Sequence, residues 1–170
     1  CEIQIGILKK LSGTTLSRHD EIYGMVYSDK PPYDIVQNNL IPFKQMQAIK
    51  RFARFWDMVY NSGNFKKSAT LLWKEGKVYD GFSAFSLWLY QQTESTWQIS
   101  LDRLAELIYR YLCEVMHYNE DAMKALLIED IMTVRGRKMP SFLRENYLPK
   151  EEQKESAYKH NKRQLKHTSV

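Results

Sequence analysis

From Lys44 to Phe65 the apolar positions recur at helical spacing. Met46, Ile49, Ala53, Trp56 and Tyr60 form one stripe, and Phe52, Phe55 and Val59 form a second beside it. The combined arc is wider than a surface helix needs, so the pattern predicts a helix covered on two sides. Gln47, Lys50, Arg51, Arg54 and Asp57 share the remaining face. Arg54 and Asp57 stand three apart and can pair there, for about a few tenths of a kcal/mol. Pro42 sits where a first-turn proline is tolerated. Ser62 and Gly63 supply a stop, and Asn64 reads as the N-cap of a following helix.

Before this stretch the period changes. Glu2 to Leu8 alternates and then runs apolar, which predicts a short strand. Ile22 to Tyr27 reads as a second strand, closed by Asp29-Lys30-Pro31-Pro32, and residues 34–37 as a third extended segment. A hairpin or small sheet from residues 3–8, 22–27 and 34–37 is expected. After Pro42 the chain turns helical. Further helices are expected over about Phe65 to Glu75, from an Asp80 cap through Leu89, from a Ser100 cap through Val115, and from an Asn119 cap through Ile131. Short links between about five helices favour an antiparallel bundle. Met139 to Leu143 is an extended linker with apolar anchors. The predicted class is therefore mainly α, with a strand or hairpin region at the N-terminus. The expected divisions are residues 1–40 as strand and extended linker, 41–148 as the helical bundle, and 149–170 as a charged tail with a short helix near Glu151 to Leu165.

Composition changes this picture little. The chain is 44% hydrophobic and 26% charged, a globular balance. No run of about 18 apolar residues exists, so no membrane span is expected. No lysine-rich start followed by an apolar stretch marks a secretory leader. The formal charge is +5, but residues 150–170 hold six Lys and Arg against three Glu, so the rest of the chain carries only +2. A balanced body argues against a nucleic-acid function, which wants a basic face on the folded part.

Candidate chemistry is sparse. Cys1 and Cys113 make no CxxC, no metal spacing and no disulfide framework, so a reducing, cytoplasmic setting is expected. Cys113 reads as a small core residue. His19, His117, His160 and His167 stand far from one another and from the cysteines, and no metal site is expected. His117, at a helix end, reads as a cation near a helix C-terminus. Adjacent carboxylates such as Glu129 and Asp130 diverge by about a hundred degrees on a helix and make no acid/base dyad. No phosphate-cradling glycine motif is present. The four tryptophans and eleven tyrosines belong mostly to the core. Aromatic rings beside Arg51 and Arg54 also suit a groove for a flat or anionic ligand. Residue 1, a cysteine, admits three readings: a lipidated mature terminus, an N-terminal nucleophile, or a chain cut from a longer protein. The strand pattern that follows favours the last.

The opening EIQIGILKKLSGTTL resembles the last strand and exit loop of the barrel in radical SAM proteins that carry a cobalamin-binding domain in front. Tyr23-Gly24-Met25-Val26-Tyr27, Pro31-Pro32-Tyr33-Asp34-Ile35 and, above all, RFARFWDMVYNSGNF at 51–65 resemble the helical domain of unknown function that follows that barrel in one branch. The resemblance spans about residues 2–148. Members of the branch are often labelled iron-sulfur oxidoreductases, or magnesium-protoporphyrin IX monomethyl ester cyclase-like. The resemblance implies a parent enzyme holding a four-iron cluster, S-adenosylmethionine and cobalamin. The family's CxxxCxxC triad is absent here, so no cofactor and no catalytic residue is expected in this chain. What remains is a non-catalytic C-terminal accessory domain that packs on the barrel and shapes substrate access. Arg51, Arg54, Trp56, Asp57, Tyr60, Asn61 and Asn64 are then the candidates for contact with substrate or barrel. The expected partner is the barrel of the same parent chain, with self-association through residues 3–8 where that strand lacks its sheet. Two other readings stand beside this one. A freestanding helical interaction module explains the aromatic content equally well. A weak nucleic-acid binder would act through Lys159, Lys162, Arg163 and Lys166.

Overall fold

A computed structural model describes residues 3–134 and 136–147 of the chain. The fold is mainly helical, with a two-stranded antiparallel hairpin near the N-terminus, the class that the hydrophobic pattern predicts. Among the described residues there are five α-helices: α1 (Asp20–Tyr23), α2 (Phe43–Trp56), α3 (Val78–Thr93), α4 (Leu101–Arg110) and α5 (Glu120–Met132). Strands β1 (Val26–Tyr27) and β2 (Ile35–Gln37) make the hairpin, with Val26 opposite Gln37 and Tyr27 opposite Ile35. The chain divides into two compact units, Cys1–Ser100 and Leu101–Val170.

The first unit is built on α2. Met46, Phe55 and Trp56 are buried, and both α3 and β2 pack against this helix, which accounts for the double apolar stripe. Beyond Trp56 the helix does not simply stop. It widens into a π turn over Asp57–Asn61, where the Ser62 N–H reaches back five residues to the Asp57 carbonyl at 2.9 Å. Gly63 then takes a φ of 69°, a conformation open to glycine, and the helix ends as its sequence predicts.

Five local expectations are corrected. Residues 3–8 form no strand; Lys9 makes an isolated bridge with Asp34, the Ile35 N–H donates to the Leu8 carbonyl at 2.8 Å, and Asn61 holds the backbone of Ile3. Where the second strand was expected to begin at Ile22, the chain is still in α1, and Gly24 turns it at a φ of 57° before β1. The helix expected over 65–75 is a series of turns and a short 3₁₀ segment, Ser68–Leu72. Asn64 caps no helix; its N–H donates to Ser62 Oγ at 3.3 Å within a turn. Phe65, Ala69 and Leu72 are nonetheless buried, so the apolar spacing marks the inward face correctly while the backbone is wound more tightly. Asp80 lies in the first turn of α3 rather than at its cap, which is Lys77.

In the second unit α4 buries Leu104, Ala105, Leu107 and Ile108. It too widens into a π turn, Tyr111–Val115. Cys113 lies there half-buried, and burial pushes its thiol pKa up, away from a reactive thiolate. His117 follows this turn, exposed. The Tyr109 hydroxyl donates to the Glu120 carboxylate at 3.2 Å, and burial, then Cys113 and Glu120, drive the phenol far above its usual range. A 3₁₀ segment, Ser141–Asn146, packs on α5 and buries Leu143 completely. The charged tail, residues 150–170, lies outside the described residues.

Asn119 caps α5 as predicted, its side-chain oxygen accepting from the Ala122 N–H at 3.0 Å. Asn119→Ala leaves that first-turn donor to water. It is expected to destabilise the second unit by about 1 kcal/mol in urea denaturation. A change near zero would show that the cap contributes nothing in this setting.

Candidate functional site

The polar face of α2 opens on a groove of about 940 Å³. Lys44, Gln47, Arg51 and Arg54 are spaced three, four and three residues apart, so they make one ridge along the helix, about 15 Å from end to end. Lys50 and Ala53 lie beside this ridge, and the π turn adds Asp57. Three further segments line the groove. Ile5, Ile7 and Lys9 come from the extended N-terminal segment, with Pro32 and Asp34 from the loop it bridges. Tyr90, at the end of α3, and Thr96 and Trp97, from the loop beyond it, complete the lining.

The two arginines of this groove are held mainly by aromatic rings and backbone. The Arg54 guanidinium lies over the Trp97 ring at 4.5 Å, and Arg54 Nε donates to the Thr96 carbonyl at 3.3 Å. Arg51 lies over Tyr90 at 5.4 Å, and its buried Nε has no hydrogen-bond acceptor. Lys50 pairs with Asp34 at 3.2 Å, which ties the residue 30–34 loop to α2. Asp57 stands 3.7 Å from Arg54 and is largely exposed, so this pair is weak. The lining thus holds Lys9, Lys44, Lys50, Arg51 and Arg54 against Asp34 and Asp57. The excess is cationic, although the body of the chain as a whole is nearly balanced.

Trp97 is presented by a tight polar turn. Its N–H donates to Ser95 Oγ at 3.0 Å, and the Ser95 hydroxyl lies 3.1 Å from the Trp97 carbonyl. Thr93 Oγ1 holds the Ser95 carbonyl at 2.8 Å. Glu94 and Gln98, on either side, take φ values of 51° and 58°, which costs a non-glycine residue about 1 kcal/mol or more each. The outcome is a tryptophan 66% exposed at the groove.

Of the residues singled out from sequence, Arg51, Arg54 and Asp57 come together in this groove. Trp56 does not: at 4% exposed it is core, stacked on Phe52 and Trp73 and met edge-on by Phe82. Tyr60 leans on Trp56 at 4.5 Å between ring centres. Asn61 grips the N-terminal segment instead, its amide donating to the Ile3 carbonyl at 2.9 Å and accepting from the Ile3 N–H at 3.4 Å. Asn64 remains in its turn. Lys44, Tyr90 and Trp97 were not singled out. Lys44 was legible from the helical wheel, and Trp97 from its position as a large ring inside the polar run Thr93 to Ser100.

Among the described residues that line the groove, the polar groups are mainly lysine and arginine side chains beside aromatic rings. Among the described residues no group of three or more His, Cys, Asp and Glu is placed to hold a metal, and two cysteines in the whole chain do not fit a four-iron cluster. No helix among the described residues is long and apolar enough to cross a membrane.

Residues 21–169 match the family model described as "Protein of unknown function (DUF4080)". Neither the curated proteins nor the solved structures contain a match.

Proposed function

From the premise that this chain belongs to the DUF4080 family, whose description names no activity, we propose that it is a non-catalytic accessory domain of a radical SAM oxidoreductase of the cobalamin-binding type. In this reading it packs beside the barrel of its own parent chain, in the reducing cytoplasm, and shapes access to the substrate site. The observation that carries the proposal is the lining of the groove. Ile5, Ile7 and Lys9 belong to the segment that resembles the last barrel strand, and they line the same groove as Arg51 and Arg54, from the segment that resembles the family most closely. The same N-terminal segment leaves Ile3, Ile5, Leu8 and Leu11 exposed. An apolar extended segment of this kind suits pairing with a sheet edge, or with a second copy of itself. The parent would hold the four-iron cluster, S-adenosylmethionine and cobalamin; this chain supplies no ligand for them.

The test is made on the full native reading frame that contains this chain. Reconstituted without oxygen, it is expected to hold about four irons and a cobalamin, measured as iron, cobalt and visible absorption, while this chain alone holds neither. Arg54→Ala and Asp57→Ala in that protein are expected to lower turnover without changing iron content. A parent without a cluster removes the proposal. It would leave the reading as a freestanding interaction module, which the exposed Ile22, Tyr23, Val26 and Leu40 around the hairpin favour.

A further inference from the structure

We propose that the groove along α2 is a binding site for a small planar oxyanion, an aromatic carboxylate or aryl phosphate. The anionic group sits on Arg51 and Arg54, and the ring lies on Trp97. This deepens the accessory-domain reading and takes its biological setting from it, but the binding itself belongs to this chain.

Three observations converge on that ligand. The first is unneutralised charge. Lys50 is already engaged by Asp34 at 3.2 Å, and Asp57 stays 3.7 Å from Arg54, beyond hydrogen-bond distance. Arg51 meets no carboxylate among the described residues and keeps a buried Nε without an acceptor. Such a guanidinium gains from an incoming oxyanion, which its two terminal nitrogens can grip with parallel N–H bonds. Arg51 and Arg54 stand three residues apart on one helix face, close enough to share one bound group.

The second is how the two arginines are held. Each lies over an aromatic ring, Tyr90 at 5.4 Å and Trp97 at 4.5 Å. Ring faces position a guanidinium without cancelling its charge, and they leave its N–H edge for a ligand. A carboxylate in the same place would have closed the site.

The third is shape. Trp97 remains 66% exposed although its loop is tied down by Thr93 and Ser95. An indole held at a groove with one face on an arginine offers the other to a flat ring. The volume of about 940 Å³ lies at the upper end of small-molecule sites, far more than a lone inorganic anion fills. Lining from four separate segments of the chain favours a compact ligand over a peptide laid along one helix.

The experiment titrates the 170-residue chain by calorimetry with 2-naphthoate and 2-naphthyl phosphate. Three comparison ligands are 2-naphthylmethanol, cyclohexanecarboxylate and hexaglutamate. At least one naphthyl anion is expected to bind about tenfold or more tightly than both the neutral alcohol and the non-planar acid. Comparing the two anions distinguishes carboxylate from phosphate. Arg51→Gln and Arg54→Gln, checked for folding by thermal melt, are each expected to weaken it about tenfold. Trp97→Leu is expected to remove the preference for the planar acid while retaining anion binding. Should Arg51→Gln fail to fold, Arg54→Gln and the exposed Lys44→Gln decide the matter by the same loss of affinity. Equal affinity for the neutral alcohol, tighter binding of hexaglutamate, or anion binding unchanged by the folded variants each overturns the proposal. Iron content of the parent is measured separately, so a failure here and a failure of the accessory-domain reading are told apart.

Discussion

Phe82→Ala is expected to destabilise the first unit by about 3–5 kcal/mol, the cost of emptying a large aromatic site that cannot collapse. Phe82 is completely buried. Its ring lies 4.9 Å from Trp56 and 5.1 Å from Phe52, both edge-on, and 5.6 Å from Phe85. Trp73 closes the cluster at 6.3 Å. Each aromatic pair adds about 0.5–1.5 kcal/mol beyond the area it buries, and these increments are not additive. Against a typical domain stability of about 5–15 kcal/mol, this one substitution removes a large share. Urea denaturation followed by tryptophan fluorescence checks it, because Trp56 and Trp73 report on the same cluster. Phe82→Leu, which keeps part of the volume, is expected to cost less. A loss below about 1 kcal/mol for the alanine variant would mean that these rings do not form one packed unit. The prediction reaches the groove as well. Phe52 and Trp56 alternate along α2 with Arg51 and Arg54, so the packed face and the charged face share one backbone.

The double stripe on α2 was legible because burial on two sides leaves a periodic trace in the residues themselves. Phe55 and Trp56 are core by either stripe, and the charged remainder of the wheel is the face that lines the groove. What failed was local winding. A helix that widens to a π turn at Asp57 keeps apolar residues at nearly helical spacing, so Val59 and Tyr60 read the same either way. Phe65, Ala69 and Leu72 fit an α-helix and the observed turns equally well, since three- and four-residue spacings serve both. Alternation over residues 3–8 predicts a strand but does not supply a neighbour to pair with, and the chain makes an isolated bridge at Lys9. The groove was half legible. Arg51, Arg54 and Asp57 follow from one helix wheel. Tyr90 and Trp97 join them only through tertiary contact across some forty residues, which no local pattern encodes. Trp56 lies in an apolar stripe of the same helix, and it is 4% exposed, so it supports the groove from the buried side.

Gly81→Ala is expected to reverse the usual sign of a glycine-to-alanine change in a helix. In an exposed helix interior that change stabilises by about 1 kcal/mol, since alanine has the better propensity. Gly81 lies inside α3 with no left-handed strain to relieve, so propensity alone favours alanine. The surroundings forbid it. A Cβ at this position would stand 2.5 Å from Trp73 Cβ, 2.7 Å from Trp73 Cα and 2.9 Å from the Leu72 carbonyl oxygen. Two of these three atoms are backbone and cannot rotate aside, so α3 and the chain after the Ser68–Leu72 segment must separate. Overpacking of this kind costs typically about 1–3 kcal/mol, and more where backbone is the obstacle. The net expectation is destabilisation by about 1–3 kcal/mol in urea, with the Trp73 emission altered as its stacking on Trp56 loosens. Gly6→Ala is the control: its added methyl meets nothing within 4 Å, and a change within about 0.5 kcal/mol is expected. A stabilised Gly81→Ala variant would show that the two segments do not approach this closely. Because Leu72, Trp73 and Phe82 all border that contact, it would also undercut the expectation for Phe82. The glycine thus fixes how closely the tightly wound 68–73 stretch can lie on α3, and through Trp73 it supports the buried side of the helix whose other face lines the groove.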